Sequence, residues 1–149
     1  MLGIINFFST RSVRDKILKN SLSEGQLFIY FYMVLMYDAI GFTQQWLAIA
    51  GKEPQFTDWI NIWGNLLITA TGLIIVFYAN GGPKGHQFLT KYFSFSVTVG
   101  IKYAIAYIIF GILPILLPIL NIPIFDAGVF IVLNSLMIAN IAYRIHSTR

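Results

Sequence analysis

YFYMVLMYDAIGFTQQW, residues 30–46, is apolar and aromatic from Tyr30 to Tyr37 and then carries Asp38. The run is long enough to belong to a membrane-spanning helix, which needs about 20 largely apolar residues. A carboxylate in its middle costs roughly 2.5–3.5 kcal/mol or more at the bilayer centre. The cost demands a partner, and the search for one organises the rest of the chain.

Four segments have the length and apolarity of a span: about 26–49, 58–79, 92–113 and 124–144. Short connections, AGKEPQFT, NGGPKGHQFLTK and NIPIF, join them and predict antiparallel neighbours. The sequence therefore reads as an all-α integral membrane four-helix bundle, up-down-up-down, over residues 26–149. Residues 1–25 form a separate basic segment. Composition agrees. Only 11% of the 149 residues are charged and 57% are hydrophobic. Soluble domains average about 25% charged, so this is a membrane composition.

Local signals refine the boundaries. Thr57 suits the N-cap of the second span and Asp126 that of the fourth. The third span stays apolar to Leu120 but contains Pro114 and Pro118. A kink or an early end is expected near Leu113, because proline removes a helical hydrogen bond and crowds the preceding turn. In the basic segment, TRSVRDKILKNSL places Val13, Ile17 and Leu18 on one side. It is expected to form an amphipathic interfacial helix on anionic lipid, with Phe7 and Phe8 adding grip. Apolar residues precede basic ones here, which is not the order of a cleavable signal peptide.

Orientation follows from the basic residues. Arg11, Arg14, Lys16, Lys19, Lys84, Lys91, Arg144 and Arg149 fall on one side, Lys52 on the other. The positive-inside rule then places both termini and the 80–91 connection in the cytoplasm. Trp46, Trp59 and Trp63 gather at the outer ends of the first two spans, as an aromatic belt does. A bacterial inner membrane is the expected location.

At about 1.5 Å per residue, Asp38 lies about 18 Å along its helix from Gln26, and Lys102 about 16 Å along its own from Lys91. Two opposite charges at one level are expected to pair inside the bundle. Thr69 and Asn134 reach the same level, with Asn65, Gln45 and Thr98 on the adjoining polar stripes. Ser96, Gly100 and Ala104 form a small-residue face that permits close helix packing.

Catalytic chemistry finds no support. NGGPKGHQF lacks the GxxxxGK[ST] pattern of a phosphate-binding loop. Lys84, His86 and Lys91 could touch a lipid headgroup or a phosphate, but a tight turn stiffened by Pro83 is the more economical reading. His86 and His146 have no third ligand, so no metal site is expected. Cysteine is absent, which removes disulfide and thiolate chemistry. The basic residues make no single patch for nucleic acid, and no cofactor is implied. The expected role is that of a small non-enzymatic membrane protein, of the immunity or accessory-subunit kind. Its partners would be lipid and another membrane protein or itself. The alternative is an oligomeric channel or proton-coupled transporter using Asp38 and Lys102.

Overall fold

The computed structural model describes residues 9–51, 53–117 and 123–149, the side chains of 42, 44–49, 114, 115, 123, 124 and 126 excepted. Its helices are α1 (Thr10–Leu18), α2 (Glu24–Ile49), α3 (Phe56–Ala79), α4 (Phe88–Leu116) and α5 (Pro123–His146), with a 3₁₀ turn at Gly82–Lys84. Among the described residues there is no strand. Among the described residues, three stretches are long and apolar enough to cross a membrane: Phe56–Ala79, Phe88–Leu113 and Ala127–His146. Their surfaces agree with their hydropathy. Leu67, Ile74, Ile108, Ile109 and Leu136 all stand exposed. So much contiguous apolar surface marks contact with lipid or with other membrane helices.

Side chains set the helix ends. Ser9 Oγ accepts from Ser12 N–H at 3.2 Å and starts α1. The helix stops at Asn20, which takes a left-handed φ of 49°. There Ser21 N–H reaches Lys16 O and Asn20 N–H reaches Ile17 O, the double bond pattern of a Schellman cap. Ser23 and Gln26 cap α2 reciprocally, each backbone N–H meeting the other's side-chain oxygen at 3.3 Å. The N-cap of α3 is Gln55, not Thr57, which lies inside the helix. Asp58, at the third helical position, accepts from Gln55 N–H at 2.8 Å and so fixes the start two residues earlier than expected. Pro123 opens α5, where a missing N–H costs no helical bond. Asp126 is therefore within the helix, and its side chain lies outside the described ones.

Of the kink or early end expected near Leu113, the early end is not seen. The helix runs through Pro114 to Leu116, and Leu117 N–H still reaches Leu113 O at 2.8 Å. Proline here falls in the last turn, where little helix remains to be disrupted. Pro118 lies outside the described residues.

Packing is concentrated at the end that holds the 80–87 turn. Val13 and Ile17 of α1, Tyr30 of α2, Val76 of α3, Phe95, Val97 and Val99 of α4, and Ile141 and Ile145 of α5 form the core. Of the apolar face of α1 expected to grip lipid, Val13 and Ile17 are thus turned inward, while Leu18 stays exposed. Its principal neighbour is α4. Burying Val13 and Ile17 removes them from water as a lipid surface would, and the bundle supplies the cover first. Phe7 and Phe8 lie outside the described residues.

The principal partner of α3 is α5, which also packs on α4; α4 in turn carries α2 and α1. Thus α2 docks on α4 rather than chiefly on α3, its neighbour in sequence. Phe31 of α2 meets Phe93 of α4 edge-on at 5.0 Å between ring centroids. Between α2 and α3 a groove remains.

The 80–87 turn is built around Asn80. Gly81 and Gly82 take φ of 105° and 57°, in the left-handed region that favours glycine. Gly85 is needed for a different reason: a Cβ there would run into the Asn80 carbonyl and side-chain amide. Gly85→Ala is expected to lower stability by about 1–3 kcal/mol through this overpacking, read as a lower unfolding midpoint in detergent.

Candidate functional site

Two polar clusters stand out from the apolar helices. The first is a groove of about 100 Å³ bounded by α2, α3, α4 and α5. Asp38 enters it from α2, Thr69 from α3, Ser96 from α4 and Asn134 from α5. Gly72 and Gly100 contribute floor without bulk. Asp38 and Thr69 are exposed in it, while Asn134 is buried. Among the described residues Asp38 has no ion pair and no hydrogen bond. Asn134, with both donor and acceptor capacity, makes no side-chain hydrogen bond among them either. Thr69 Oγ1 donates only a long bond, 3.5 Å, to Asn65 Oδ1.

The expected Asp38–Lys102 contact is not formed among the described residues, and Lys102 is exposed. The reason is angular. At about 100° per residue, Phe93, Ser96 and Gly100 share one side of α4, and Lys102 points about 160–200° away from Phe93 and Gly100. The Phe31–Phe93 contact puts α2 on the glycine side. Depth along the helix brings the two charges level, and azimuth separates them. Thr98, on the lysine side, is fully buried and turns its hydroxyl back to Ser94 O at 3.1 Å. It belongs to the helix and not to the groove. The side chain of Gln45 lies outside the described ones.

The small-residue face is not a packing seam among the described residues. A Cβ at Gly100 would meet nothing within 4 Å, so no neighbouring helix exploits this glycine. Ser96 and Gly100 line the groove instead, and Ala104 is half-buried. The close approach occurs at Gly72, where a Cβ would collide with Ile138 of α5.

The second cluster lies at the turn end. Lys91 is buried, and its Nζ donates to Asn80 Oδ1 at 3.0 Å and to Thr148 O at 3.4 Å. Asn80, 1% exposed, donates from Nδ2 to His86 O at 3.3 Å. Arg14 Nη2 donates to Ser147 O at 3.3 Å, and Gln87 Nε2 to Asn20 Oδ1 at 2.9 Å. These bonds tie the turn, the last residues and α1 together. The ammonium of Lys91 is directed into the protein rather than at a headgroup or phosphate. Lys84 and His86 remain exposed. Asn80 and Thr148 carry no motif and could be found only as polar residues bordering an apolar run. Among the described residues no group of His, Asp and Glu is placed to hold a metal.

Chemically, the groove offers an unneutralised carboxylate beside an amide and two hydroxyls, in a setting of long apolar helices. It can accept a cation or a hydrogen-bond donor. Comparisons of this chain with protein-family models, with curated proteins and with solved structures find no match.

Proposed function

We propose that the chain is a four-span protein of a bacterial inner membrane that acts without catalysis, by binding another membrane chain at the Asp38 groove. In this reading α2 crosses the bilayer beside the three strongly apolar helices, and both termini are cytoplasmic. The basic outer face of α1, Arg11 and Arg14, then lies over the anionic leaflet. One observation carries the proposal: Asp38, Thr69 and Asn134 converge on a groove and find no adequate partner among the described residues. Polar groups left unmatched at membrane depth are satisfied by hydrogen bonds across helices. The role accords with an immunity or accessory subunit, whose work is contact.

The test is co-purification from native membranes in mild detergent. Asp38→Asn should lose bound membrane protein by about tenfold, the equivalent of one interhelical polar contact. Unchanged retention at unchanged expression would overturn the reading. The unneutralised carboxylate also favours a second reading, proton-coupled transport. It requires Asp38-dependent proton flux from the purified protein in liposomes, and a silent liposome removes it.

A further inference from the structure

Asp38 and Lys102 are the one acid and the one base well inside the long apolar helices; of the other carboxylates, Asp15 lies in the basic α1, and Glu24, Glu53, Asp58 and Asp126 lie at or near the ends of the long helices. They lie about 18 Å and 16 Å along their helices, yet face opposite sides of α4. We infer that they pair between molecules: the Lys102 of one copy of this chain enters the Asp38 groove of the next. The inference rests on the membrane-binding reading above and names its partner.

Three features favour a second copy over an unrelated chain. The charges are complementary, and each lacks a partner among the described residues. They are level, so copies related by an axis along the membrane normal bring them together without any shift in depth. The groove is small, about 100 Å³, which suits the end of a lysine side chain and not a whole helix. The open space at Gly100 lets that side chain pass close to the α4 backbone.

Symmetry follows. A two-fold dimer must make both contacts with one neighbour through one self-complementary patch. The donor and acceptor lie on opposite sides of α4, so each copy must give Lys102 to one neighbour and receive it from another. Such head-to-tail contacts close into a ring of three or more copies.

The chain has no cysteine, so two introduced thiols report cleanly. Gly41 and Ile105 sit three residues beyond Asp38 and Lys102, nearly one turn on, and leave both charges intact. A Cβ at Gly41 would meet nothing within 4 Å, and Ile105 is exposed. Co-expressed Gly41→Cys and Ile105→Cys chains should form a mixed cross-linked dimer in the membrane. The double variant should give a ladder beyond the dimer. Adding Lys102→Met should reduce either product about tenfold. The inference is overturned if both thiols react with a membrane-permeant maleimide and no cross-link forms. It is also overturned if the ladder stops at the dimer or if Lys102→Met leaves the yield unchanged. A missing cross-link beside Asp38-dependent co-purification of a different protein would reject the second copy and keep the broader reading.

Discussion

Replacing Asn80 with leucine is expected to lower the stability of the protein by about 3 kcal/mol, near the top of the range for stranding a buried polar group. Asn80 Oδ1 is one of two acceptors for the Lys91 ammonium, and the other, Thr148 O, is the longer at 3.4 Å. Leucine leaves that buried cation with a single weak acceptor and leaves His86 O without its donor. Removing the charge is milder. Lys91→Met strands two neutral acceptors, for about 1–2 kcal/mol. The double variant should cost less than the two singles added, because each removes part of what the other strands. Denaturant titration of the four proteins in one detergent measures all three differences. Additivity within about 0.5 kcal/mol would show that the two residues are not coupled.

This cluster shows where sequence reading stops. Lys91 was legible as a basic residue flanking a span, and such residues set orientation by standing in the headgroup region. That Asn80 and the carbonyl of Thr148 fold over it depends on the turn between α3 and α4 and on residues 57 positions away. No local pattern encodes that distance. The apolar side of α1 was equally plain in Val13 and Ile17, but periodicity does not say whether lipid or protein covers it.

The lengths and places of the apolar helices were legible because hydropathy is a property of segments. The polar residues of the groove were legible too. Thr69, Asn134 and Asp38 stand out in apolar runs, and counting along helices set them level. The missing coordinate was the side of α4 that receives α2, and the Phe31–Phe93 contact fixes it. A single rotation moved Lys102 from partner to outward-facing charge. The same rotation moved Ser96 and Gly100 from a packing seam to a groove wall.

Gly72 and Gly100 therefore make a controlled pair, and leucine at each should act on a different property. At Gly72 the new side chain meets Ile138 across the α3–α5 contact, the most extensive in the bundle. Overpacking there should cost about 1–3 kcal/mol and lower the unfolding midpoint. At Gly100 the first added carbon meets nothing within 4 Å. The chain should fold as before, with a gain of up to about 1 kcal/mol from replacing a helical glycine. Yet leucine would occupy the space beside Asp38 that an incoming side chain must use. Gly100→Leu should reduce association by at least about tenfold, as seen in the cross-linked ladder or the co-purified fraction. If both variants lose stability alike, Gly100 is a packing residue after all. If Gly100→Leu folds and still associates normally, the groove is not where the partner binds. Folding kept and association lost is the outcome that a contact outside the fold's own packing requires, because a side chain added where a Cβ meets nothing within 4 Å among the described residues acts through what comes to fill that space.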